Sequence, residues 1–288
     1  MKKIAFVLLY IFASFPSFAE IYTTENIGEI KGIVEDIFDK RNPQKTLFII
    51  PLDFVLRPTH PAMQKQEKNY NSLLKKAFAK VNSSALFYAN ILIFTEYPNE
   101  LNDPELPDLI DYIQSNNSGL IITTPNFTGG VNDIDHLDVW TFNHLKNKKI
   151  DLTKGIFANM QLVFNQEMKK IAGSYPSFYK GLLSYNSDKS NNSSMQVLSV
   201  FLALKLKKVP DVVVAVDTRR EYLEALEKQL KVLRSDNEFF GILCDFPAPK
   251  TKEISPEDYL KFWQDFVNKI NHLKSKNVDL KAENPYEE

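Results

Sequence analysis

The sequence predicts an α/β fold built on a mostly parallel sheet. Two stretches carry that expectation first. Leu47-Phe48-Ile49-Ile50 is an unbroken apolar run that meets Pro51 and then an acid, Asp53. Val212-Val213-Val214-Ala215-Val216 is a second such run, ending on Asp217. Runs of this kind mark strands buried on both faces, as in parallel sheets, where sites form beyond the C-terminal strand ends. The third observation is that these runs alternate with segments of helical periodicity, the pattern of βαβ units.

Composition narrows the class. Hydrophobic residues make up 44% of the 288, enough for a sizeable core in one large domain or two small ones. A formal net charge of −1 offers no bulk attraction for nucleic acid or an anionic membrane. The single cysteine, Cys244, excludes an internal disulfide framework and a cysteine-based zinc site. No Gly-rich phosphate loop of either common pattern is present.

Residues 1–19 read as a secretory signal. Lys2 and Lys3 precede an apolar segment, Ile4 to Phe15, and Ser17-Phe18-Ala19 offers small residues where a signal peptidase reads. The apolar segment is shorter than the roughly 20 residues of a typical span. A mature chain starting near Glu20, periplasmic or secreted, is expected. An uncleaved N-terminal anchor is the alternative. No later stretch is long and apolar enough for a membrane span.

The first helix is expected from Ile27 to Phe38, starting at Thr24 or Glu25 and stopped by Arg41-Asn42-Pro43. After the Leu47 run, Arg57-Pro58-Thr59-His60-Pro61 is a stiff connection, because each proline fixes its own φ and restricts its neighbour. A long helix follows, about Met63 to Val81. Ala89 to Thr95 is apolar and ambiguous between strand and helix, and Asn99 to Pro107 reads as a loop. Leu106 to Gln114 reads as a helix, and Leu120 to Thr124 as a buried strand finishing on two threonines. Trp140 to Lys146 is a short helix. Phe178 to Ser184 is a strand or hairpin. Asn186 to Ser194 is a polar loop before a helix, Met195 to Leu206. Beyond the Val212 strand come a helix, Glu221 to Leu233, and a last strand, Phe239 to Phe246. Ser255 as N-cap and Pro256 at the first position open a final helix. Beyond Lys274 the sequence becomes a polar tail, residues 275–288.

Taken in order, these stretches resemble the haloacid dehalogenase-like (HAD) superfamily. Its first motif is four apolar residues, a nucleophilic Asp, any residue, a second Asp, any residue and Thr. On this chain the nucleophile position holds Pro51, the second acid is Asp53, and the Thr position holds Val55. The strand ending at Thr124, with Thr123 as the alternative, resembles the second motif, whose hydroxyl bonds the phosphoryl oxygen. The third motif is a lysine at the start of a helix. Spacing puts it at Ser194, and the nearest lysine is Lys189. Asp217 resembles the first acid of the fourth motif, with Thr218 in place of the second. The links Lys148 to Thr153 and Phe178 to Ser184 resemble an uncharacterised, secreted bacterial branch of the superfamily.

The resemblance implies a Rossmann-like three-layer sandwich over residues 20–274. Small helical cap insertions would fall at 57–103, which reads equally as a core helix, and at 127–177. It implies Asp53, Thr124 and Lys189 as vestigial catalytic positions, and Asp53 (through its backbone carbonyl) and Asp217 as ligands of a weak or absent Mg²⁺ site. Covalent phosphoryl transfer needs the nucleophile itself, and Pro51 has none. The expected function is therefore a binding or interaction protein that has lost phosphatase activity, with no cofactor and an unknown small-molecule phosphate or protein partner. Two alternatives remain: a hydrolase with a rearranged site, using Mg²⁺, and a host-facing effector. His60, His136, His144 and His272 show no metal-ligand spacing. The run Asp133, Asp135, His136, Asp138 reads as a solvated loop, and Cys244 as a small buried group.

Overall fold

The computed structural model describes residues 20–275, except 66–67, 80, 82, 127, 171–173, 186–190, 207–208 and 247–251. The expected leader at 1–19, Lys189 and the tail from 276 onward lie outside the described residues.

The chain enters as strand β1 (Glu20–Thr24) and turns into helix α1 (Ile27–Lys40). The helix starts later than Thr24 or Glu25. Thr24 is taken up by the strand, paired with Cys244, and Asn26 becomes the cap, accepting the Glu29 N–H at 2.9 Å. Strand β2 (Thr46–Pro51) follows, then a one-turn helix, α2 (Leu52–Val55), and strand β3 (Leu56–Pro58). The long helix expected over 63–81 is two pieces, α3 (Pro61–Gln64) and α4 (Lys68–Phe78). The ambiguous segment at 89–95 belongs to a helix, α5 (Ser83–Glu96). The expected loop at 99–107 opens on a short strand, β4 (Asn99–Leu101), antiparallel to β3.

Helix α6 (Leu106–Ser115) leads to β5 (Gly119–Thr124), then α7 (Leu137–Asn147) and β6 (Gln161–Val163). Strands β7 (Ser177–Tyr179) and β8 (Leu182–Ser184) form a hairpin. Its two turn residues, Lys180 and Gly181, both have positive φ (50° and 97°), as a tight turn matching strand twist requires. Helix α8 (Asn191–Val200) widens into a π turn over Phe201–Lys205. Strand β9 (Val212–Asp217), helix α9 (Arg220–Leu233), strand β10 (Glu238–Cys244) and helix α10 (Pro256–Ser275) complete the order. Ser255 caps α10 as expected, its Oγ accepting the Asp258 N–H at 3.0 Å.

Eight strands form one sheet in the order β1-β10-β9-β2-β5-β8-β7-β6. The first six run parallel, β7 runs against them, and β6 is antiparallel to β7. The fold is thus mixed α/β with a partly parallel sheet. Both faces are covered. Phe48, Ile50, Ile122 and Val214 pack with α1, α6 and α7, while Leu47, Ile49, Ile121 and Val213 pack with α8 and α9. Each such side chain contributes about 1.5–3 kcal/mol relative to exposure, which explains why the unbroken apolar runs occupy the middle of the sheet.

A third core lies apart from the sheet. Helices α3, α4 and α5 gather around α10 through Ala77, Leu92, Trp263, Phe266 and Ile270. Helix α5 carries apolar residues toward several neighbours at once. Ala89 and Leu92 face that core, Ile91 packs with Val131 and Leu137, and Phe94 meets the rings of Trp140 and His144.

Candidate functional site

The parallel strands deliver their C-terminal residues to one end of the sheet. Pro51 is the register partner of Thr123. Ile49 faces Ala215, so two residues further on Pro51 and Asp217 reach the same height. Side chains alternate along a strand. Ile49, Ile121 and Ala215 belong to the core under α8 and α9, and the alternation carries Pro51, Thr123 and Asp217 onto that same side. Thr124 continues the opposite face, that of Leu120 and Ile122. Its Oγ1 accepts the Asn126 N–H at 3.2 Å, and its register partner is Ser184. Of the two expected hydroxyls, Thr123 therefore accompanies Asp217, and Thr124 is turned away.

Asp53 sits on α2 with its side chain exposed, just past the proline. Its charge acts on Tyr185, Arg219 and Tyr222, and these same three groups feel Asp217. Asp53 follows the end of β2 and Asp217 ends the neighbouring strand β9. Asp217 is 2% exposed. Arg219 closes on it as a fork, Nε to Oδ1 at 3.0 Å and Nη2 to Oδ2 at 3.1 Å, while the Arg219 backbone N–H reaches Oδ1 at 2.9 Å. The guanidinium also lies 5.0 Å from the ring centroid of Tyr222.

Hydroxyls surround this pair. Burial pushes the Tyr222 phenol up to about 12, opposed by its hydrogen bond with Ser194. Tyr185 is likewise pushed up, chiefly by burial. Ser194, the position where spacing puts the third-motif lysine, thus reaches the site as a neutral hydroxyl. Lys189 lies outside the described residues. Arg219 and both tyrosines are absent from the sequence-based site. The signal that could have found Arg219 is its spacing: an arginine two residues past a strand-end Asp is within reach of that carboxylate by main chain and side chain at once.

A second polar cluster lies on the opposite face, and one expectation is corrected there. Asp138 is not part of a solvated loop. It is 1% exposed, in the first turn of α7, because that turn packs down on the β7–β8 hairpin. Its Oδ2 accepts the Ser177 hydroxyl at 3.0 Å, and its Oδ1 accepts the Val139 N–H at 2.9 Å. Burial raises its pKa despite these bonds. Ser177 pairs with Ser184, whose buried Oγ has no hydrogen-bond partner among the described residues.

The remaining candidates are packing groups. His60 stacks on Phe262 with centroids 3.9 Å apart, and His144 stacks on Trp140 and hydrogen-bonds Asn99 Oδ1 at 2.6 Å. Burial lowers the pKa of both. Cys244 is buried as expected, and burial pushes its thiol up to about 12. Among the described residues no helix is long and apolar enough to cross a membrane.

Fold and site define a mixed α/β protein with two acids and an arginine gathered at one end of a partly parallel sheet. No family model matches the chain, and no solved structure matches it. Its similarities are bacterial and extend over nearly the whole length. An uncharacterised protein of Rickettsia conorii is 28% identical, covering 99% of this chain and 98% of that one. An uncharacterised protein of Rickettsia bellii is 28% identical over 100% of this chain and 99% of its own. One of Rickettsia typhi is 29% identical over 98% and 96%.

Proposed function

We propose that the protein is a HAD-like domain that binds rather than turns over its ligand, a small-molecule phosphate or a protein. One observation carries this reading: Pro51 ends β2, the strand between β9 and β5, where the resemblance requires a nucleophilic carboxylate. A proline ring has no atom to attack phosphorus, and covalent catalysis is lost with its nucleophile. The HAD-like reading itself is supported by the adjacency of β2, β5 and β9, the strands that carry the three recognisable motifs, and by the positions of Asp53 just past the end of β2 and Asp217 at the end of β9. Helices α3 to α5, inserted after β2 through the β3–β4 ladder, form the cap in this reading, with α10 packed against them. In this reading residues 1–19 are a secretory leader and the protein is periplasmic or secreted, which fractionation of expressing cells checks.

The test is turnover. Purified protein lacking residues 1–19 is expected to leave generic phosphate esters intact with Mg²⁺ present. Hydrolysis that disappears in Asp53→Ala overturns the proposal.

A further inference from the structure

The family resemblance implies a divalent cation at Asp217, and the donor set around that carboxylate does not fit one. Mg²⁺ requires about six oxygens in near-octahedral array. Both oxygens of Asp217 instead accept N–H groups from Arg219, and Oδ1 accepts the Arg219 main-chain N–H as well. The planar guanidinium matches a carboxylate edge to edge, so a cation approaching that edge meets a positive charge already in place.

This pair differs from the protein's peripheral ion pairs. In Lys40–Asp36 both side chains are mostly exposed, at 65% and 68%. In Arg219–Asp217 the carboxylate is 3% exposed, and the guanidinium lies beside the ring of Tyr222. The charge of Asp53 also falls on Arg219. The Arg219 guanidinium thus meets the Asp217 carboxylate directly and feels the charge of Asp53.

We propose that Arg219 occupies with its guanidinium the place a divalent metal holds in the HAD-like arrangement, so that the site is metal-independent. The inference rests on the HAD-like reading above and adds that the missing cofactor is replaced by a side chain. The arginine is a positioning residue: its fork fixes the orientation of the Asp217 carboxyl, and its main-chain N–H fixes the β9–α9 turn.

Terbium luminescence tests this directly. Tb³⁺ seeks carboxylate oxygens as the hard divalent cations do, and nearby tyrosines sensitise its emission; Tyr185 and Tyr222 stand at the site. The readout is the part of the sensitised emission that Asp217→Asn removes. In the wild-type protein that part is expected to be zero. In Arg219→Gln it is expected to appear, and to vanish again in Arg219→Gln/Asp217→Asn. Circular dichroism establishes that each variant is folded. If Arg219→Gln does not fold, Arg219→Met takes its place, since it keeps an apolar stem but has neither the charge nor the fork. Emission from wild type that Asp217→Asn abolishes overturns the proposal. Its absence from a folded Arg219 variant does the same. Turnover of phosphate esters by wild type would sink the functional reading instead, so the two failures are distinguishable.

Discussion

Two acids in this protein are almost fully buried, and they are accommodated in opposite ways. Asp217, at the tip of β9, has a guanidinium against both oxygens. Asp138, in the first turn of α7, has a hydroxyl and a main-chain N–H. Removing a carboxylate from water costs several kcal/mol unless something compensates. Arg219 sets a full charge against both oxygens of Asp217. The hydroxyl and N–H donors of Asp138, with His136 nearby, offset its burial only in part, and its pKa rises. Carboxylate burial alone therefore does not distinguish a candidate binding site from a structural clasp. The compensating partner does.

The largest expected effect comes from removing the counter-charge. Arg219→Ala leaves the buried Asp217 carboxyl without its fork, and is expected to cost about 3–5 kcal/mol in urea unfolding. Asp217→Ala is expected to cost less, about 1–3 kcal/mol. The stranded arginine side chain is half exposed and can turn to water. If Asp217→Ala proves the more damaging of the two, the counter-charge account fails.

Asp138 makes the contrast in pH. Its folded pKa is raised, so the folded state holds the proton more tightly than the unfolded chain. Its contribution to stability is complete below about pH 4, the unfolded value, and is lost as pH rises through the raised folded value. Asp138→Asn is expected to remove that fall, so that its urea-unfolding stability declines less than wild type between acid and neutral pH. A variant whose pH profile parallels wild type would show that Asp138 does not bind its proton differently in the two states. The smallest effect belongs to Asp53, which is exposed on α2: Asp53→Ala is expected to change unfolding by less than about 1 kcal/mol.

The parallel strands were legible because burial on both faces demands unbroken apolar runs, as in Leu47–Ile50 and Val212–Val216. The strands that escaped notice, β1, β3, β4 and β6, are short and carry no such run, since each depends on a neighbour distant in sequence. Helix α5 was ambiguous because Ile91-Leu92-Ile93-Phe94 is an unbroken apolar run with no polar face to set its period. Asp138 was misread because its neighbours Asn132, Asp133 and Asp135 are polar, and nothing local reveals that α7 sinks its first turn onto Ser177. Asp53 and Asp217 were legible as strand-end acids. Arg219 was not, because a fork between residues two apart is a matter of backbone shape.

Helix α10 packs against helices made far earlier. Tyr70 on α4 donates its hydroxyl to the Ile254 carbonyl at 2.6 Å, across 184 residues, and Trp263 and Phe266 fill the space between the inserted helices. During synthesis these helices leave the ribosome with their apolar sides bare, and they stay so until α10, which begins at Pro256, arrives. A message truncated near codon 255 would yield a chain with every described strand of the sheet and an open helical lobe. A lobe begun before most of the sheet is thus the last to be sealed.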